Sequence, residues 1–393
     1  MGLMNEYINK RMDAAALEKE LLTLIKKYND HRKTYLIVYA AASMKDIPDV
    51  TLNMDDYYIM YDLLKDVTSK DLDIYIETPG GSGETAEEIV RYTRTKFDNV
   101  NFVVSGEAKS AGTIMVLSAD NILMTGSGSL GPIDAQVPIG RTRISAYDYM
   151  EWVNETRSNA DKDKKLNPFD AVMVAQISPG EIKHVYNSLK FAEDLVKDWL
   201  PKYKFKNWNV TRTRKLPVTP EMKTKRATEI AEMLTMHSKW RSHGRSIKIK
   251  ELQEEIGLEI EKVDDDPVLS DIVYRIQTVI RMLFLSTTSY KIFATHNQKI
   301  FKQAIPVGNI GPQMPMVPQL NAAELNIKCQ QCGKDYHLYA KLLPDPQIDK
   351  DLTAKGFMKF PKDSKIKCTC GFEINLIGIK NDIETKTGRK IIL

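Results

Sequence analysis

The chain has 393 residues, 42% apolar and 27% charged, with a formal charge of +4. This is ordinary globular usage, and it excludes both a disordered polypeptide and one whose charge alone would draw it to nucleic acid. The longest apolar run, Tyr35 to Ser43, is far short of the roughly 20 residues a spanning helix needs, so no membrane span is expected.

The N-terminal segment, 1–33, carries Leu17, Leu21, Leu24 and Ile25 at helical spacing. It has no basic start, apolar stretch or small-residue cleavage site of a secretory signal. Glu6 stands where a myristoylation pattern wants Ser or Thr, and we expect a cytoplasmic location. Residues 34–41 read as a buried strand, 54–67 as a helix and 72–78 as a second strand that runs into Pro79-Gly80-Gly81. A helix follows with Ala86, Ile89, Val90, Thr93 and Phe97 on one face. The unit then repeats as a strand over 99–106, a turn at "EAKS", a short apolar helix from Ala111 and a further strand over 121–126. Strands alternating with helices predict a parallel sheet with crossover helices on its faces.

Beyond residue 145 the pattern turns helical. Ser178-Pro179 and Thr219-Pro220 have the N-cap and first-turn chemistry of helix starts, and 267–286 is a further amphipathic helix. Residues 304–321 are rich in Pro and Gly and read as a linker. All four cysteines follow it. "CQQCGK" (Cys329, Cys332) and "CTCGFE" (Cys368, Cys370) supply four thiolates, a complete tetrahedral set for structural Zn2+ with no open position for catalysis. The second pair is one residue tighter than the usual C-x2-C.

The two turns invite a common explanation. Backbone N–H groups at a helix N-terminus lack intrahelical partners and can stabilise negative charge. Gly80 and Gly81, without Cβ atoms, let a substrate approach the backbone, and Ser110 sits where the second turn becomes a helix. Each turn also has a plain reading, a glycine serving the turn and a serine capping the helix.

Taken in order, strand-"TPGG"-helix, strand-"KSAGT"-helix and strand-"GSGSLGPIDAQ" resemble the ClpP/crotonase-like serine peptidases. The likeness lies in their signal-peptide-peptidase branch and its serine dehydrogenase proteinase group, over about residues 34–285. The resemblance implies Ser110 as nucleophile, the amides of Gly81 and Ala111 as oxyanion hole, and Gly80, Ser82 and Asp134 along the substrate cleft. It also implies a homo-oligomer. Clp-type peptidases have a histidine near the position of Asp134, and this chain has none between Ser110 and His184. The signal-peptide-peptidase branch uses a downstream lysine, for which Lys162, Lys164 and Lys165 are candidates. Lys162 is preferred, and His243 is the second candidate for the base.

The expected fold is thus α/β, with a crotonase/ClpP-like parallel sheet and flanking helices over 34–145 and a helical extension over 146–303 completing the core. The linker and a small zinc-ribbon domain over 322–393 follow. The expected function is an ATP-independent serine endopeptidase acting on polypeptides. The competing reading is a catalytically weak scaffold that uses the crotonase-like shell and the zinc ribbon to bind a protein partner or nucleic acid. Acyl-CoA chemistry would use the same oxyanion hole without a nucleophilic serine.

Overall fold

The computed structural model describes residues 2–139, 142–211, 215–304 and 321–393. The chain divides into two compact units, Met1–Pro306 and Val307–Leu393. Most of the expected linker, 305–320, lies outside the described residues.

The first unit begins with two helices rather than one, α1 (Leu3–Asn9) and α2 (Ala14–Arg32), because Asp13 accepts a hydrogen bond from Ala16 N and starts a new helix. Then come β1 (Tyr35–Ala41), α3 (Met54–Leu64), β2 (Asp71–Glu77), α4 (Gly83–Lys96), β3 (Asn99–Val104), the short β4 (Glu107–Ala108), α5 (Ala111–Leu117), β5 (Ile122–Met124) and β6 (Ser129–Leu130). A small hairpin, β7 (Gln136–Ile139) and β8 (Thr142–Ser145), leads into α6 (Ala146–Asp163), α7 (Pro168–Val174) and α8 (Pro179–Trp199). After α9 (Pro220–Thr235), α10 (His237–Trp240), α11 (Ile249–Glu254) and β9 (Glu261–Lys262), α12 (Pro267–Ser286) precedes β10 (Ser289–Ala294) and β11 (Lys299–Gln303).

Seven of these strands form the central sheet in the order β11-β10-β1-β2-β3-β5-β9. The run from β1 to β9 is parallel, while β10 joins β1 antiparallel. Alternation along β1 sends Ile37 and Tyr39 into the core cluster formed with α3, α4, α5 and α8. Leu36, Val38 and Ala40 go into the cluster formed with α2 and α12. Both faces are therefore covered, which explains why β1 and β2 read as continuous apolar runs.

The expected helical extension, 146–303, also carries strands, with β9 pairing to β5 at one edge of the sheet. The extension's last fifteen residues are the β10–β11 hairpin, which extends the sheet beyond β1. The alternation there is broken by Lys291, which is fully buried and paired with Asp56 rather than solvated.

In the second unit, β12 (Ala322–Lys328) and β13 (Asp335–Lys341) form an antiparallel hairpin with the first cysteine pair in its turn. After α13 (Pro346–Ala354) and β14 (Met358–Lys359), the second pair lies between β15 (Lys365–Lys367) and β16 (Glu373–Asn375), and α14 (Ile377–Thr387) closes the unit. Its own core gathers Leu338, Leu342, Phe360, Ile366 and Leu376.

Candidate active site

Parallel pairing continues past the ends of β2 and β3. Thr78 N donates to Glu107 O (2.8 Å) and Lys109 N donates to Thr78 O (3.0 Å), so the two small-residue turns lie side by side. Contact between them is close. A Cβ on Gly80 (φ +96°) would lie 2.6 Å from Ser110 Cβ and 2.8 Å from Lys109 O, and one on Gly81 (φ +150°) would strike the backbone of Leu52. Only glycine fits at either position.

Leu52 fixes the first turn by a parallel bridge. Its N–H donates to Gly80 O (2.7 Å) and its carbonyl accepts from Ser82 N (2.9 Å), a pattern that leaves the Gly81 N–H out. Beneath it, Lys291 Nζ donates to both carboxylate oxygens of Asp56 (2.8 and 2.6 Å) and to Thr51 O (2.9 Å). Asp56 in turn accepts from Asn53 N (3.1 Å). Both charged side chains are wholly buried, and together they pin segment 51–53, on which the Gly80–Ser82 turn rests.

The two serines differ. Ser82 is the N-cap of α4, its Oγ accepting from Thr85 N (3.0 Å) and donating to Glu84 Oε2 (2.9 Å), so its hydroxyl is committed to the helix. Ser110 occupies the N-cap position of α5 but makes no capping hydrogen bond, and its backbone is at φ 49°, ψ −118°. Lys33, Lys164 and Arg241 also have positive φ, but with ψ of 30°, 22° and 2° they are ordinary left-handed helix ends. Ser110 is outside that region, a conformation that costs roughly 1–3 kcal/mol and is sustained only by surroundings that over-determine it. Here the surroundings are Gly80, the wholly buried α5, and within that helix the Thr113 hydroxyl, which donates to Ala108 O (2.7 Å) and accepts from Gly131 N (2.9 Å). Among the described residues, no hydrogen bond uses the N–H of Gly81 or Ala111.

Asp134 is fully buried, and its carboxylate holds two imidazoles. His243 Nδ1 donates to Oδ1 and His237 Nδ1 to Oδ2, both at 2.8 Å, while Gln136 Nε2 donates to Oδ2 (2.8 Å). A carboxylate only accepts, so both rings carry their proton on Nδ1 and present Nε2 as a lone pair when neutral. Burial pushes the Asp134 carboxyl up, but hydrogen bonds from His243 and His237 outweigh it and hold it below the usual carboxylate range. His237 Nε2 faces Asp148 Oδ2 at 3.6 Å, whereas among the described residues none bonds Nε2 of His243. The His243 segment is docked beside the nucleophile turn. Leu130 and Ile247 exchange hydrogen bonds (3.1 and 2.9 Å), and Leu130 is paired with Ala108.

Among the expected site residues, Gly80, Gly81, Ser110 and Ala111 come together at one point. Asp134 serves the histidines rather than open space. Lys162 lies in the last turn of α6 with Lys164 and Lys165 just beyond it, all three exposed. The sequence reading missed His237 and the double clamp. Its only trace was a pair of histidines, one opening the short α10 and one just beyond its end, 103 and 109 residues from Asp134. Beside the turn formed by Val50 and Thr51, a groove of about 600 Å3 is lined by Lys45, Pro48 and Arg143 among others.

In the second unit the four cysteine sulfurs lie within 4.8 Å of one another, with Cys329–Cys370 at 3.7 Å and Cys332–Cys368 at 3.5 Å. Tetrahedral zinc with Zn–S near 2.3 Å requires sulfurs about 3.8 Å apart, so the set fits the ion. Each pair sits in a tight turn. Cys329 N donates to Lys334 O and Cys368 N to Phe372 O (2.8 Å each), the second loop being one residue shorter, which accommodates the C-x-C spacing.

An uncharacterized protein of Methanocaldococcus jannaschii is 29% identical over 129 residues, which is 33% of this chain and 41% of that protein; the chain thus spans about two fifths of the length of this curated relative. Two solved structures of the membrane-bound stomatin-specific protease 1510-N are similar. A serine-to-alanine mutant has a TM-score of 0.33 at 14% identity, over 56% of this chain and 79% of that one. A lysine-to-alanine mutant in complex with a substrate peptide has a TM-score of 0.32 at 15% identity, over 56% of this chain and 72% of that one. Residues 52–215, a stretch that holds Gly81, Ser110, Asp134 and Lys162, match the family model described as ClpP-like SDH-type serine proteinase.

Proposed function

We propose that this chain is an ATP-independent serine peptidase in which Ser110 is the nucleophile and the amides of Gly81 and Ala111 form the oxyanion hole. The observation that carries the reading is the backbone of Ser110, held outside the ordinary regions at the start of a buried helix with its hydroxyl unused by the cap. Ser110 Oγ attacks the carbonyl carbon of a peptide bond as its proton passes to the base. The new C–O bond leaves a tetrahedral oxyanion facing the two N–H groups, and each such donor contributes about 3 kcal/mol to lowering the barrier. The base returns the proton to the departing amine, and water then releases the acyl group by the same route.

Of the candidates for the base, the arrangement favours His243. A buried carboxylate fixes its tautomer and steadies the imidazolium, whereas a lysine needs desolvation to accept a proton near neutrality and Lys162 is exposed. The substrate is a polypeptide, the chain associates with further copies of itself, and the four cysteines hold structural zinc in a unit that docks a protein or nucleic-acid partner.

Fluorophosphonate labelling tests this reading. The wild type should label, Ser110→Ala should not, and His243→Ala should slow labelling by about 10²–10⁴-fold while Lys162→Ala leaves it unchanged. No labelling of folded wild-type protein at any concentration would overturn the hydrolase reading in favour of a scaffold.

A further inference from the structure

Lys109 is buried, with 6% of its surface exposed, and it immediately precedes Ser110. Its side chain turns away from the serine. Nζ donates to Leu130 O (3.2 Å), Arg245 O (3.0 Å) and Ser246 Oγ (2.9 Å), so each of the three ammonium protons has an acceptor. No carboxylate is among them, which makes this a costly place for a cation unless the contacts themselves are needed.

The three acceptors lie on the two segments that frame the candidate base. Leu130 ends β6, which pairs with β4 just before the nucleophile turn, and it also bridges Ile247. Arg245 and Ser246 follow His243 by two and three residues. One side chain therefore joins the turn bearing Ser110 to the segment bearing His243, 136 residues away in sequence from Lys109 to Arg245.

We propose that Lys109 is a positioning residue for the Ser110–His243 pair, its ammonium holding segment 242–247 against the nucleophile turn. The proposal rests on the reading of Ser110 as nucleophile and His243 as base. Small displacements matter here, since misplacing a reacting group by about 1 Å can cost about 10²-fold in rate.

Protonation enters as a consequence. Burial pushes the Lys109 pKa down to about 8, Glu107 favours the ammonium and Lys248 opposes it. Above that pH a neutral amine has two N–H donors for three acceptors, and the hold on segment 242–247 slackens.

The test compares wild type with Lys109→Met, which keeps the length of the stem and removes the charge, and with Ser246→Ala, which removes one acceptor and leaves the lysine in place. Hydrogen exchange over 242–247 and fluorophosphonate labelling of Ser110 across pH are read together. The expected results for Lys109→Met are exchange in 242–247 faster by about tenfold and a maximal labelling rate lower by about tenfold with the probe's binding constant unchanged. Ser246→Ala should move both in the same direction by a few-fold, and it decides the matter if Lys109→Met does not fold. Wild-type labelling should also fall above about pH 8, and that limb should be missing in Lys109→Met. Wild-type labelling with Lys109→Met or Ser246→Ala reacting at the same rate overturns the role of Lys109 alone. An unlabelled wild type overturns the hydrolase reading and the role of Lys109 with it.

Discussion

Replacing Gly80 with alanine adds one carbon directly against the nucleophile turn. That carbon would lie 2.6 Å from Ser110 Cβ, 2.8 Å from Lys109 O and 3.2 Å from Ala111 N, where carbon contacts normally relax to about 3.5–4.0 Å. The backbone also stands at φ +96°, which an L-residue adopts at a cost of roughly 1–2 kcal/mol. Overpacking adds about 1–3 kcal/mol, so the expected loss is about 2–5 kcal/mol. The cheapest relief moves the Ser110 turn outward by close to 1 Å, which should slow acylation by about 10²-fold in molecules that remain folded. Urea unfolding gives the first quantity and the rate constant for fluorophosphonate labelling gives the second. Gly180→Ala is the control, because a Cβ there meets nothing nearer than Ser178 Oγ at 3.9 Å. A Gly80→Ala protein that labels within about twofold of wild type would refute the argument that this glycine sets the position of Ser110.

Asp134→Asn should reduce labelling by about 10²–10⁴-fold, because an amide can accept from only one of the two imidazoles and presents N–H groups to the other. The native carboxyl lies below its usual range. Its contribution to stability is therefore present above the unfolded value and lost as pH falls through the folded one, and acid unfolding of the Asn variant should show a weaker pH dependence. Glu77 has the opposite sign. It is buried with Arg281 Nη2 at 2.7 Å from its Oε1, and burial raises its pKa from 4.5 to about 7, so the folded state binds the extra proton and stability declines as pH rises. The decline attributable to this group between pH 5 and 8 is about 2–3 kcal/mol. Urea titrations at the two pH values should show a smaller difference in Glu77→Gln, and equal differences would count against the shift. Treatment with a chelator, or substituting Cys332→Ser, should abolish binding of the proposed zinc and the folded signature of residues 322–393, read by circular dichroism of the full chain, while Ser110 labelling persists.

The alternation of strands and helices from β1 to β5 was legible because each element carries its own periodicity, and a period of two or of 3.6 needs only neighbours in the chain. The helix starts at Ser178-Pro179 and Thr219-Pro220 were legible for the same reason, since a cap is made within four residues. The turn of Gly80 and Gly81 and the helix start at Ser110 could be located in this way, as could the four cysteines, whose spacing is local within each pair.

The β10–β11 hairpin could not be read so, because Lys291 looks like a surface residue until Asp56, 235 positions earlier, is seen to neutralise it in the core. Asp134 gave no local sign that it would hold His237 and His243, nor Lys109 that its ammonium would be shared among Leu130, Arg245 and Ser246. The sequence by itself determined the order of the elements from β1 to β5, the two turns and the cysteine pairs, all products of short-range stereochemistry. Only the tertiary structure decided which charged groups lose their water and which partners they then find. Burial makes an unpaired charge costly wherever it lies in the chain, and the partner that relieves it is chosen by proximity in space.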